Sequence, residues 1–475
     1  MTAPIILWFR QDLRLADNPA LVAAMAAGPV LPVFVLDDAA AGAWAPGGAA
    51  RWWLHHSLAS LAVALKKRGA PLLLLRGSAE TLIPALAVET GAQSVQAGRL
   101  YEPWARRRDQ RVAEALEALG RKLVLHSAAL LTEPHRVRSG SGTPYAVYTP
   151  FARAVMALGE PEAPLPAPSR IAPADRRPAG ERLDGWGLLP SRDWAGEFPA
   201  QWQPGEAGAT TRLAAFAGRV ARYDGQRDLP ATEGTSRLSP HLHWGEISPR
   251  QAWLAVRAAS PGAGAGAGAE VFLKELLWRE FSHHLLWHRP DMPEAPLRQE
   301  FARFDWQPNP RQRRAWEKGA TGYPIVDAGM RQLWRTGWMH NRVRMIAASF
   351  LVKHLLQPWQ DGAAWFWDTL VDADLANNSQ NWQWVAGCGS DAAPYFRIFN
   401  PVLQGRKFDP AGAYVRSFVP EIAALPDAHI HSPWAAPPAV LAQAGIRLGR
   451  DYPMPIIDHA EARQRALDSF AALRA

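Results

Sequence analysis

A chain of 475 residues, 48% apolar and 20% charged, is too long for one ordinary domain and carries ample material for two or three cores. Fifty-two basic against 44 acidic residues give a net charge of +8, a moderate excess that fits either nucleic acid or a plain solvated surface. The single cysteine, Cys388, excludes disulfides, a cysteine zinc site and an iron–sulfur cluster.

That cysteine usage fits a reducing compartment. The first ten residues include a charge, so no secretory leader is expected, and no apolar run reaches the ~18 residues of a membrane span. The expected location is the cytoplasm, beside the nucleoid. The 22 tryptophans exceed what packing asks for and point to stacking, electron transfer or an aromatic pocket.

From residue 1 to about 130, short apolar runs alternate with helical patterns. The runs are Pro4–Phe9, Val30–Leu36, Pro71–Leu75, Ser94–Ala97 and Leu123–Leu125; Ala50–Arg68 and Glu102–Leu119 lie between them as helices. Such alternation predicts an α/β domain, a doubly wound parallel sheet. Asp17-Asn18-Pro19 starts a helix, with a capping side chain and then proline. No phosphate-loop fingerprint follows the first strand. Residues 131–205, rich in proline, glycine and alanine, form a connection over the surface. From 206 to 475 the helical period dominates, which predicts an all-α second domain, ending in a helix over Ala460–Leu473. The GAGAGAGA run, Gly262–Ala269, reads as a flexible loop within it.

The stretch Gly337–Phe350, GWMHNRVRMIAASF, has helical spacing, with Met339, Val343, Ile346, Ala347 and Phe350 on one buried stripe. It also carries His340, Asn341, Arg342 and Arg344, and an unpaired buried charge is costly. These are either paired core groups or the lining of a polar pocket.

Three stretches bear on that choice. Tyr223–Ser239 ends in Thr235-Ser236-Arg237-Leu238-Ser239, hydroxyls and an arginine suited to a diphosphate. In Phe272–His284, Leu273, Leu276, Leu277 and Phe281 form one stripe, while Glu275, Trp278, Arg279 and Ser282 share another face suited to a ligand. His283 and His284, adjacent on a helix, diverge and read as solvated rather than metal-binding. Trp365–Pro401 holds Asp372, Asp374, Asn378, Trp382 and Trp384; with no further ligand at suitable spacing, a metal is not expected, and an aspartate pairing with Arg344 is more economical.

These stretches, together with ILWFRQDLRLADNPAL, EGTSRLSPHL, ELLWREF, TGYPIVDAGMRQLWRTGWMHNRVRM and NWQWVAGCGSDAAPYFRIFNP, resemble the DNA photolyase/cryptochrome family over most of both domains. The resemblance implies an N-terminal Rossmann-like antenna domain (1–130), a connection (131–205) and a helical FAD-binding catalytic domain (206–475). By position, Tyr223, Thr235, Ser236, Arg237, Leu238 and Ser239 would contact the FAD phosphates and ribityl chain. Phe272, Glu275 and Arg279 would lie in or beside the flavin pocket. Arg344 and Asp372 would pair along the isoalloxazine, Asp374 would sit near the ribityl chain or adenine, and Asn378 would face the reactive flavin nitrogen. Trp306, Trp359 and Trp382 align with the family's electron-hopping chain.

The family divides into repair enzymes and photoreceptors. Asn341 and Met345 stand where enzymes for the (6-4) photoproduct carry histidine. With Glu275, Trp278 and Trp384 they resemble a pocket for a cyclobutane pyrimidine dimer, and Asn378 resembles repair enzymes. The expected activity is therefore light-driven dimer repair, a carbon–carbon lyase reaction on UV-damaged DNA. Arg227, Arg279, Arg342 and Arg397 would meet flanking phosphates. A blue-light photoreceptor, disfavoured by Asn378 and by the lack of a long tail, is the alternative; composition alone would also allow a cofactor-free single-strand binder. The expected state is a monomer. The Asn-Glu pair that binds a folate antenna in many members is replaced after Tyr101-Glu102-Pro103 by Trp104-Ala105. Arg51–Leu58, RWWLHHSL, resembles plant cryptochromes and their sister group of bacterial photolyases, which implies methenyltetrahydrofolate at a differently built site; a deazaflavin or no antenna stays open.

Overall fold

A computed structural model describes residues 3–260, 266–391 and 396–473. Part of the GAGAGAGA run and part of DAAPYF lie outside the described residues.

Five strands form one parallel sheet: β1 Ile5–Phe9, β2 Val30–Leu36, β3 Leu73–Arg76, β4 Ser94–Gly98 and β5 Lys122–His126, in the order β3-β2-β1-β4-β5. β1 and β2 are buried along their whole length, which is why they read as continuous apolar runs. Helices Gly48–Lys67, Ala79–Thr90 and Pro103–Glu117 link the strands. Order reverses between β1 and β4, where ligands usually enter such sheets. Here Arg10, at the end of β1, donates to Asp109 at 2.5 Å and to the carbonyl of Gly98, so protein fills that crevice.

The first connection follows the expected helix start. Asn18 caps the helix Pro19–Ala27, its Oδ1 accepting from Leu21 N at 3.0 Å, while its amide donates to the carbonyls of Asp12 and Arg14. Losing the cap and both buried bonds together, Asn18→Ala is expected to lower stability by about 2 kcal/mol, read as a shifted urea midpoint at unchanged slope.

The described residues form two compact units whose limits differ from the expected domain boundaries. The first comprises residues 1–221, 236–290 and 371–376; the second 222–235, 291–370 and 377–475. The long helix Ala267–His288 joins the sheet's unit because its rings dock on the connection. Phe281 lies 5.3 Å from Phe151, and His284 lies 5.0 Å from Phe151. The connection is thus not merely a surface run: its helix Tyr148–Met156 buries Phe151 and Val155. The expected loop over Gly262–Ala269 is corrected at its end, where the helix already runs from Ala267; residues 262–265 lie outside the described residues.

The second unit is helical. The helix expected from Gly337 starts later, at Asn341, and runs to Ser349. Gly337 instead ends the preceding helix, Pro324–Thr336, in the left-handed region at φ 65°. His340 caps the new start by accepting from Arg342 N at 3.3 Å. A π-turn over Phe350–His354 follows, an irregularity common at functional sites. The apolar stripe stands as expected: Met339, Val343, Ile346, Ala347 and Phe350 are all buried. The last helix spans His459–Ala472. No helix among the described residues is long and apolar enough to cross a membrane.

Candidate functional site

In the first unit, Val371–Ala376 leaves the helical chain and docks beside the turn Ser236–Ser239. Trp244 Nε1 donates to the carbonyl of Val371 at 3.3 Å, and Ser239 Oγ donates to Asp372 at 2.6 Å. Two stretches far apart in the chain, both expected to hold one ligand, are therefore bonded together. Arg237 completes the turn at φ 49°, in the left-handed region that few non-glycine residues adopt.

Asp374 lies deeper. His283 Nε2 stands 3.4 Å and His243 Nδ1 3.7 Å from its carboxylate, and all three side chains are buried. The solvated reading of His283 and His284 is thereby corrected. His283 Nδ1 donates to the carbonyl of Arg279 at 3.0 Å, so both ring nitrogens are engaged as in an imidazolium. Burial alone would depress His283, but Asp374 outweighs it and raises the imidazole. Burial alone would raise Asp374, but His283 and His243 hold it well below the usual carboxylate range. His284 packs among rings instead; burial and then His288 lower it to about 4. Adjacency on a helix told that the two rings diverge but not that both faces are covered.

On Ala267–His288, Phe272 is buried against Phe216 at 4.7 Å, and Glu275 and Trp278 are half-buried. Arg279 donates to the carbonyls of Ala129 (2.7 Å) and Leu242 (3.4 Å). Ser282, one turn beyond Trp278 on the same face, is buried, and its hydroxyl donates to the carbonyl of Trp278. Sequence reasoning missed Glu280, a buried carboxylate that accepts from the backbone N–H groups of Leu131 and Thr132. Its place on the apolar stripe beside Phe281 was the available signal.

In the second unit, Tyr223 is buried, with the guanidinium of Arg227 5.5 Å from its ring. Arg342 forms a two-pronged pair with Asp228, at 2.8 and 3.3 Å, and stacks over Phe408. Arg344 donates to the carbonyl of Met339 at 2.8 Å. Asn341 is exposed at the first turn of its helix, with Met345 one turn on and half-buried. Asn378 donates to the carbonyl of Ala363 at 3.0 Å, which orients its amide. A small cavity is lined by Trp384, Arg397, Ser349, Lys353, Gly387 and Phe399, so two residues expected at the nucleic-acid face meet there. Lys353 is buried with Nζ 3.0 Å from the centre of the Phe396 ring, and burial pushes its amine well down.

Of the three chain tryptophans, Trp306 is half-buried, whereas Trp359 and Trp382 are each 2% exposed. Trp382 packs edge-on to Phe366 at 5.0 Å and to Trp316 at 6.2 Å.

Around the expected antenna region, Trp52 and Trp53 are core residues. Trp52 meets Phe198 and His56; Trp53 meets Trp202 and His241 and donates to Glu246 at 3.0 Å. Trp104 is half-buried beside Arg108. No group of three or more histidine, cysteine, aspartate or glutamate side chains among the described residues is arranged to hold a metal ion.

The first unit's site can be tested against a flavin nucleotide. Its hydroxyls, carboxylates and imidazoles are donors and acceptors suited to sugar and ribityl hydroxyls. His243 Nδ1, buried and 3.7 Å from Asp374, lies beyond ordinary hydrogen-bond length from that carboxylate, which leaves room for such a ligand to complete its bonding. The residues fit the group.

Comparison with known proteins converges with this geometry. Residues 5–169 match a family model described as DNA photolyase, and residues 272–472 match the FAD binding domain of DNA photolyase. A deoxyribodipyrimidine photo-lyase of Agrobacterium fabrum is 50% identical, covering 100% of this chain and 98% of that protein. Cryptochrome-1 of Arabidopsis thaliana is 39% identical, covering 98% of this chain and 70% of that protein. The crystal structure of a bacterial class III photolyase from Agrobacterium tumefaciens superposes with a TM-score of 0.96 at 49% identity, covering 100% of this chain and 98% of that one.

Proposed function

The chain belongs to the DNA photolyase family, and on that premise we propose that it splits cyclobutane pyrimidine dimers in UV-damaged DNA, driven by light. The observation that carries this reading is the paired acidic and hydroxyl set Ser239–Asp372 and His283–Asp374, beside a helix presenting Glu275 and Trp278. Bound FAD, reduced and excited by light, supplies the electron that opens the dimer's ring bonds and recovers it afterwards.

The residues do the rest. Tyr223, Thr235 and Ser236–Ser239 hold the FAD phosphates and ribityl chain. Phe272, Glu275, Arg279, Asp372 and Asp374 in the first unit, and Arg344 and Asn378 in the second, are the residues assigned to the flavin, Asn378 with its amide pre-set by Ala363. Asp372, held by Ser239, and Arg344, held by the carbonyl of Met339, each supply one charge for the ring. Trp306, Trp359 and Trp382 pass electrons inward from the surface, with half-buried Trp306 at the outer end and the two covered indoles, Trp359 and Trp382, beyond it.

A dimer inside a duplex cannot reach a buried flavin, so it is flipped out, and its weakened stacking lowers that cost. Trp278 and Trp384 stack on the extruded bases, worth about 1–3 kcal/mol each. Asn341 and Met345 border the dimer, and Arg227, Arg279, Arg342 and Arg397 meet flanking phosphates, giving salt-dependent affinity with little sequence preference. Methenyltetrahydrofolate is kept as the antenna; half-buried Trp104 suits a stacked pterin better than the covered Trp52 and Trp53.

The test is an absorption spectrum of purified protein, then illumination with a dimer-containing oligonucleotide under reducing conditions. Flavin bands and light-dependent loss of the dimer support the proposal; flavin photoreduction with the dimer intact would favour a cryptochrome-type photoreceptor. Glu275→Ala is expected to lower repair yield by about tenfold, the size of one charge-assisted hydrogen bond, with FAD content unchanged. An unaltered yield would remove Glu275 from the reaction.

A further inference from the structure

Trp278 is held by a residue from outside its helix. Tyr148, the first residue of the helix Tyr148–Met156, lies flat on the indole with ring centres 3.7 Å apart and planes 3° from parallel. Its hydroxyl donates to the carbonyl of Lys274 at 3.0 Å, one turn before Trp278. Phe281 meets both rings edge-on, at 6.0 and 5.9 Å, and is itself backed by Phe151. The phenol is therefore fixed at both ends, by its hydrogen bond and by its own helix.

A half-buried indole would otherwise sample several rotamers, and ordering a rotamer-rich side chain on binding costs affinity. A flat ring pressed on one face removes that freedom beforehand and leaves the opposite face as the only stacking surface. We propose that Tyr148 is a positioning residue for dimer recognition, backing one face of Trp278 so that an extruded pyrimidine stacks on the other. The proposal rests on the assignment of Trp278 to the dimer pocket above.

The experiment uses FAD-loaded full-length protein, a dimer-containing oligonucleotide and its undamaged counterpart. Tyr148→Ala should weaken dimer binding about 5–10-fold, with repair yield at saturating substrate within about twofold and affinity for undamaged DNA unchanged, as expected when part of a base-stacking contribution is lost. Tyr148→Phe should restore binding, because it keeps the flat ring. Tyr148→Leu should behave like Tyr148→Ala, because it keeps bulk without a flat face, and it serves if the alanine variant folds poorly. In a Trp278→Ala background, Tyr148→Ala should have no further effect. Wild-type affinity in Tyr148→Ala or Tyr148→Leu, or equal losses in Tyr148→Phe and Tyr148→Ala, would overturn the proposal. If Trp278→Ala itself binds the dimer normally, the underlying pocket assignment fails instead.

Discussion

Asp374→Asn should cost about 3–5 kcal/mol of stability and most of the bound FAD, when measured between the ordinary carboxylate and imidazole values of 3.8 and 6.5. The change removes the carboxylate that keeps His283 charged, so folding must either bury an uncompensated imidazolium or strip its proton. The penalty should also depend on pH in a stated direction. His283 is raised on folding, so its contribution is full below 6.5 and is lost as pH rises through the folded value. Asp374 is depressed, so its contribution is present above 3.8 and is lost as pH falls through its folded value. Urea midpoints of wild type and variant should therefore differ most inside that window and converge above it. A difference that stays constant as pH rises would mean that the two groups do not form a charged pair.

Gly362→Ala should damage both stability and flavin photoreduction. The glycine sits in the helix Trp359–Thr369, and a methyl group there would fall 2.1 Å from Cη2 of Trp382 and 2.6 Å from a methyl of Leu351. Neither neighbour is the loose end of a flexible chain, because Trp382 is wedged between Phe366 and Trp316. Overpacking of this kind costs about 1–3 kcal/mol. The displaced indole should also slow light-driven reduction of the flavin, read as the rate at which the oxidised absorption bleaches. Combined with Trp382→Phe, which frees space, Gly362→Ala should cost less than it does alone. Equal costs in the two backgrounds would show that the methyl is accommodated elsewhere.

The parallel sheet was readable because its central strands β1 and β2 are buried on both faces and so appear as unbroken apolar runs; Val30–Leu36 was placed to the residue. The helix start at Asn18 was readable because a cap is local chemistry. The start at Asn341 was not: periodicity runs smoothly through Met339, and only the left-handed Gly337 and the capping ring of His340 break the chain there. The expected polar residues of Phe272–His284 split the same way. Spacing identified the face of Glu275 and Trp278, but whether His283 met solvent or Asp374 depended on a segment ninety residues distant. Tyr148 lay in a stretch whose proline content masked a helix.

The first unit is stitched from three separated stretches, the last being Val371–Ala376. A ribosome delivers them in order, at about 5–20 residues per second. Roughly eight to thirty seconds therefore pass between emergence of residue 221 and of Ala376. Through that interval the nascent sheet lacks first the long helix that covers Phe151 and then the aspartate that balances His283. Chain termination between His283 and Asp374 releases a product whose sheet is finished and whose imidazole has no counter-ion, a natural substrate for quality control rather than a stable half-protein.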